Sequence, residues 1–244
     1  MNAIISGTTV IVSAVFAILV LKQYSERKKM HQLMWGIALA LWAVGVGAEF
    51  LATLGDWTTW TYRAYYIAGA LLIPAWLGLG TLYLVASRRI ANNAFGIVAI
   101  LSVIGIALIA TWEIDPTRLR ATPDQFVPLK IYPFFPIQLL LITLNIFGTI
   151  AFVGGALWSA WHFVRAQIHG GRVLATMLIA IGGGIAAGAH SLGVLSGIEL
   201  FRVSEFVAVL FIFAGFMLSN SPAKQTAPTP RAACAAACRC SSPS

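Results

Sequence analysis

Seven runs of about twenty apolar residues follow one another along the chain, and they constrain its fold more than any other feature. A helix needs about 20 mainly apolar residues to cross a bilayer, whereas the strands of a membrane barrel alternate apolar and polar residues. Because the runs are continuous, they predict an all-α polytopic membrane protein, a seven-transmembrane-helix bundle. The predicted helices 1 to 7 span Ala3–Leu21, Leu33–Leu54, Tyr62–Val85, Ala94–Trp112, Pro136–Trp158, Val173–Ser196 and Val203–Asn220.

The composition agrees with a chain that is mostly surrounded by lipid. Only 10% of the 244 residues are charged, whereas a soluble domain usually carries about 25%. The first run has no basic residue before it and no cleavage site after it, so we interpret it as a retained helix. We therefore predict a transmembrane domain over residues 1–221. Residues 222–244 are small and proline-rich, which predicts a disordered cytoplasmic tail.

The basic residues predict the orientation, because cytoplasmic loops of membrane proteins carry an excess of Lys and Arg. Eleven of the 16 fall on one side of the predicted bundle. The N-terminus is therefore expected outside and the C-terminus inside, in a multi-pass protein of the cell (cytoplasmic) membrane. The same bias explains the net charge of +8, and we predict no nucleic-acid partner.

Two charged residues interrupt the apolar pattern at the junction of helices 2 and 3. Glu49 lies near the end of helix 2, roughly 7 Å below the rim at about 1.5 Å per residue. Arg63 begins helix 3, and the tight turn makes the two helices antiparallel neighbours. Since a carboxylate at that depth is costly unless it is paired, we predict a direct Glu49–Arg63 ion pair. The pair is interpreted either as part of a site or as a structural clamp.

Other polar groups are expected at the same depth, in the outer third of the bundle. Tyr66 belongs to an aromatic cluster at the turn between helices 2 and 3, which is either an interface belt or the wall of a ligand pocket. His190 lies in helix 6, and Arg202 and Glu205 lie at the start of helix 7. If the helices bring these groups together, they form an outward-facing polar cavity. The candidate ligand-binding residues are Glu49, Arg63, Tyr66, His190, Arg202 and Glu205.

Motifs for catalysis, cofactors or metals are weak or absent in the sequence. The chain has no HExxH, no GxSxG and no lysine within a predicted helix that could bind retinal. Cys234, Cys238 and Cys240 are three potential ligands in the tail, whereas a structural zinc site needs four. We therefore predict neither an enzyme nor a cofactor or metal site.

Three stretches carry a resemblance to a known family. They are ALWAVGVGAEFLA (40–52), with Trp42 and Glu49; YRAYYIAGALLIPAWLGLGTLYL (62–84), with Arg63, Gly69 and Pro74; and LGVLSGIELFRVSEFVAVLFIFAGFML (192–218). The chain resembles the seven-helix membrane input domain at the N-terminus of some bacterial sensor histidine kinases. In that family the bundle senses a signal at the membrane and an attached output module responds. In this sequence no kinase module follows helix 7, so the resemblance implies either that a separate protein provides the output or that the output half has been lost.

These observations favour a receptor-like membrane sensor. The alternatives are a small-molecule, ion or proton transporter or channel subunit and a purely structural membrane partner. Few polar residues lie at mid-depth, Asn145 being the clearest, which favours sensing over conduction. The candidate partners are the lipid bilayer, a separate signalling protein and a second copy of the chain.

Overall fold

The computed structural model describes residues 2–120, 131–167, 170–196 and 198–220, with the backbone alone described at positions 2, 118, 120, 170, 190–196, 198–200 and 220. Seven of its helices are long and apolar enough to cross a membrane, which confirms the seven predicted spans. The predicted tail lies outside the described residues. The spanning helices are α1 Asn2–Arg27, α2 Met30–Leu54, α3 Thr59–Val85, α4 Arg88–Thr111, α5 Phe134–Arg165, α6 Gly170–Ser196 and α7 Ile198–Asn220. A short helix, Pro116–Arg120, lies between α4 and α5.

Short connections with clear stop and start signals join the first four helices. Lys28 has a φ of 52°, a left-handed conformation that ends α1 and turns the chain into α2. Before α3, Thr58 and Thr61 form a reciprocal capping box. Before α4, the Ser87 hydroxyl accepts a hydrogen bond from the backbone N–H of Ile90. We call the end of the bundle with the α2–α3 turn the Trp57 end, and the end with the α1–α2 and α3–α4 turns the Lys28 end.

Six of the spanning helices form a closed ring. Going around it, α1 packs against α2, α2 against α3, α3 against α5, α5 against α6, α6 against α7, and α7 returns to α1. Helix α4 packs on the outside of this ring, against α3 and α5. Helix α3 is therefore the most enclosed of the spans.

Glycines allow two close helix crossings around α3. A Cβ atom built on Gly45 of α2 would lie 3.0 Å from the Cα atom of Gly69 on α3. A Cβ atom on Gly148 of α5 would overlap the backbone of Pro74 on α3. Small residues let membrane helices approach this closely, and van der Waals packing then stabilises the contact.

Helices α3 and α5 both contain π-helical segments, at Tyr65–Leu72 and Ile150–Gly154. In α3 the irregularity precedes Pro74, which has no N–H to donate to the carbonyl of Ala70. The Nδ2 atom of Asn145 donates to that carbonyl at 2.7 Å and to the carbonyl of Leu141 at 2.8 Å. Asn145 thus satisfies a backbone group that water cannot reach in the bilayer.

Candidate ligand-binding site

The buried carboxylate of Glu49, on α2, pairs with an arginine on α7, which is separated from α2 in the ring only by α1. The Nε atom of Arg202, on α7, donates to Oε1 of Glu49 at 2.5 Å, and both side chains are buried. The second oxygen, Oε2, has no hydrogen-bond partner among the described atoms. The pair connects α2 with α7 inside the ring by a charged contact.

The predicted pairing of Glu49 with Arg63 was wrong. The Nη2 atom of Arg63 donates instead to the backbone carbonyl of Trp112 at 2.8 Å. Trp112 caps the C-terminus of α4, where the last carbonyls lack helix partners and favour a cation. Glu49 faces the interior of the ring, whereas Arg63 reaches outward along the rim to α4.

Glu205 adds a second carboxyl group beside the ion pair. It lies three residues after Arg202, on the same face of α7, and is 8% exposed. Its carboxyl group interacts electrostatically with Glu49 and Arg202. The indole N–H of Trp42 lies close by but forms no hydrogen bond with a described atom. Among the described residues, no ion pair or hydrogen bond satisfies Glu205, so the cluster has two carboxyl groups and one guanidinium.

A cavity of about 540 Å³ lies next to this cluster, between α2, α3, α5, α6 and α7. It extends from Glu205 toward the middle of the helices at Leu77 and Phe152. Most of its lining is aliphatic, and the polar or aromatic groups are few. Those groups are Trp42, Tyr65, Asn145, Thr149, Phe152 and Glu205. A mainly apolar wall with a few placed polar groups is typical of small-molecule sites.

Among the described side chains, the cavity reaches the outer surface of the bundle where the first half of α5 lies apart from α6. The second half of α5 packs along α6, while its first half packs chiefly against α3. Three residues on the cavity-lining face of α5 are also exposed at the outer surface of the bundle: Ile142 (45%), Ile146 (55%) and Ile150 (68%). Because these side chains lie within a membrane-spanning helix, the opening faces lipid.

A cluster of tyrosines packs beside the site at the Trp57 end. Tyr62, Tyr65 and Tyr66 are buried, and the rings of Tyr62 and Tyr66 pack together with their centroids 4.7 Å apart. Tyr132, from the segment before α5, packs its ring on Tyr62 and Tyr66. Burial raises the pKa of the Tyr132 phenol to about 12, against the opposing effect of Arg63. These tyrosines are interior packing residues, unlike Trp60 next to them, which is exposed.

The structure brings together three of the six candidate residues, Glu49, Arg202 and Glu205. Arg63 lies apart, and Tyr66 is buried in the tyrosine cluster rather than in the cavity wall. His190 falls within the part of α6 where only the backbone is described. Sequence reasoning did not select the four other polar wall residues, which are Trp42, Tyr65, Asn145 and Thr149.

No family model, curated protein or solved structure matches the chain. The resemblance to sensor-kinase input domains therefore stays a prediction. Within the described residues, no group of three or more His, Cys, Asp or Glu side chains is placed to hold a metal ion.

Proposed function

We propose that this protein is a membrane-embedded sensor whose ligand-binding site is the cavity beside Glu205. The observation that carries the proposal is the combination of a largely apolar cavity with a buried carboxyl group that forms no hydrogen bond or ion pair with a described side chain. Polar groups buried in a membrane are costly, and they are functional by default. A bound molecule that satisfies Glu205 would recover part of that cost.

The π-helical segments Tyr65–Leu72 and Ile150–Gly154 offer a route from the cavity to the rest of the bundle. Residues of both segments line the cavity, including Tyr65 on α3 and Phe152 on α5. π-helical turns often occur at functional sites, and packed helices respond to small changes by discrete shifts. Occupancy would therefore alter α3 and α5, and through them the Lys28 end, which the basic residues assign to the cytoplasm. A separate protein would receive the signal there.

Transport is the second candidate function, because the buried Glu205 carboxyl group could carry a proton or bind a cation. The two functions differ in one measurable property. A transporter must produce flux that depends on Glu205, whereas a sensor must change conformation at the Lys28 end without flux.

Filling the cavity by mutation tests the proposal without a known ligand. Ala70 lines the cavity, so Ala70→Phe places a ring inside it. The matched control is Val103→Phe, on the lipid-facing side of α4, where Val103 is 67% exposed. We expect Ala70→Phe to change hydrogen–deuterium exchange at the Lys28 end in lipid nanodiscs. We expect no change for the control.

Flux measurements complete the test. Proteoliposomes that contain the wild-type protein should show no proton or potassium flux above empty vesicles. Unchanged exchange at the Lys28 end in Ala70→Phe, together with flux that is lost in Glu205→Gln, would overturn the sensor proposal in favour of transport.

A further inference from the structure

The charged residues around the cavity determine whether it can hold a cationic or an anionic molecule. Glu49 and Arg202 form an ion pair, so Glu205 leaves the cluster one negative charge in excess when it is ionised. A charged group removed from water is stable only with a counter-charge or several hydrogen bonds. An anionic ligand would add a second uncompensated charge, whereas a cation would neutralise the cluster.

The aromatic residues at this end of the cavity favour an organic cation over a metal ion. Trp42 and Tyr65 both line the cavity, and both interact with Glu205. Aromatic rings attract ammonium groups through their quadrupole, most strongly where water is excluded. A hard metal ion would need six or more oxygen ligands for Ca²⁺, or an octahedral shell for Mg²⁺. The described acidic side chains at the site are only Glu49, already paired, and Glu205.

The rest of the cavity and its opening are suited to an alkyl chain. Beyond Glu205 the wall is formed largely by aliphatic side chains, such as Leu77, Leu141 and Ile212. The opening between α5 and α6 faces lipid, through Ile142 and Ile146. A molecule dissolved in the bilayer can therefore enter the cavity with its alkyl chain and its head group, without passing through water. A cavity of about 540 Å³ lies within the usual range for small ligands.

We propose that the cavity binds an amphipathic cation, an alkyl chain with an ammonium head group, which enters from the bilayer between α5 and α6 and places its head beside Glu205. This assignment rests on the proposed sensor function, since it names the ligand class of the same site. It makes Glu205 the counter-ion, Trp42 and Tyr65 the aromatic wall, and the aliphatic cavity the chain site.

Saturable binding of dodecyltrimethylammonium tests the assignment directly. Radiolabelled probe is titrated into phosphatidylcholine nanodiscs that contain the full chain, and partition into empty nanodiscs is subtracted. We expect saturable binding by the wild-type protein, weakened roughly 10- to 100-fold in Glu205→Gln, because a charge-assisted contact is replaced by a neutral one. The matched control is Glu113→Gln, an exposed residue that follows α4 and undergoes the same change of charge. It should bind like the wild type.

Chain-matched probes separate this proposal from the proposed function. Dodecanol tests the apolar cavity without the charge, and its affinity should be similar in the wild-type protein and Glu205→Gln. Equal affinity of the cation for both proteins, or saturable binding of dodecanol alone, would overturn the cation assignment and leave the cavity as a ligand site. Absence of saturable binding for both probes, together with unchanged exchange in Ala70→Phe, would overturn the cation assignment and the sensor proposal.

Discussion

Removing either partner of the Glu49–Arg202 pair should destabilise the protein, but by unequal amounts. Arg202→Leu leaves Glu49 and Glu205 as two buried carboxyl groups without a cation. Glu49→Leu leaves Arg202 beside Glu205, which can replace the lost partner. Breaking a buried pair from one side costs about 3–5 kcal/mol. We expect that full cost for Arg202→Leu, and about 1–2 kcal/mol for Glu49→Leu because the charge is still compensated.

The double replacement gives the coupling energy of the pair. Replacing both partners by apolar groups of similar size is often close to neutral, so Glu49→Leu with Arg202→Leu should be more stable than Arg202→Leu alone. Neutral interhelical hydrogen bonds in membrane proteins couple by about 0.6 kcal/mol and by at most about 1.7. Charged partners interact roughly twice as strongly, which predicts a coupling energy of at least about 1 kcal/mol here.

Reversible unfolding in bicelles, for example by steric trapping, measures these free energies. The matched control is a second cycle with Glu49→Leu and Arg63→Leu. Arg63 donates to the carbonyl of Trp112 and not to Glu49, so this cycle should show coupling close to zero. Equal destabilisation by the two single mutants would contradict the role of Glu205 as a second acceptor. Strong Glu49–Arg63 coupling would refute the arrangement of the whole cluster.

Three further predictions concern the helix crossings and the orientation. Asn145→Leu should lower the free energy of unfolding by about 1–3 kcal/mol, because the Ala70 carbonyl, which Pro74 leaves without a helix partner, then loses its hydrogen bond. Adding Pro74→Ala should recover part of this loss, and no recovery would contradict the explanation. Gly148→Leu should cost at least about 1–3 kcal/mol by overpacking, whereas Gly154→Leu, which faces open space, should unfold like the wild type. A reporter fused after Asn220 should be active only in the cytoplasm, and periplasmic activity would reverse the proposed orientation.

The seven spans were predictable because lipid leaves a chain few alternatives. A continuous apolar run must satisfy its own backbone hydrogen bonds, and only a helix does so within one segment. The predicted helix boundaries were wrong mainly where a helix continues beyond its apolar run into polar residues. Helix α1 continues through Lys22 and Glu26 to Arg27, six residues beyond the predicted end at Leu21. Polar side chains near a helix end can reach the interface, so polarity alone does not end a helix there.

The partner of Glu49 was not predictable from neighbouring helices. The short α2–α3 turn does make these helices neighbours, but adjacency does not set the direction in which a side chain points. Glu49 faces the ring interior, so its partner depends on which other helix brings a side chain to the same place. The position of α7 near Glu49 results from the packing of all the helices, and α7 is far from α2 in the sequence. The useful signal was depth, because Arg202 and Glu205 lie at the same level as Glu49.

The sequence contains only weak signals for the residues that form the cavity wall. Pro74 indicated an irregular α3, and Asn145 was the clearest mid-depth polar residue, but their contact joins two helices separated by a long stretch of chain. Trp42 and Tyr65 look like ordinary apolar or interfacial residues within their helices. They become wall residues only because α5 and α6 separate beside them, which is a property of the assembled bundle.

A crystal structure of the full chain grown in a lipidic mesophase tests the central claim most directly. The account predicts an open space between α5 and α6 that contains non-protein density next to Glu205, with Nε of Arg202 bonded to Glu49. A bundle in which α5 and α6 pack together along their whole length, with side chains filling the cavity, would contradict it.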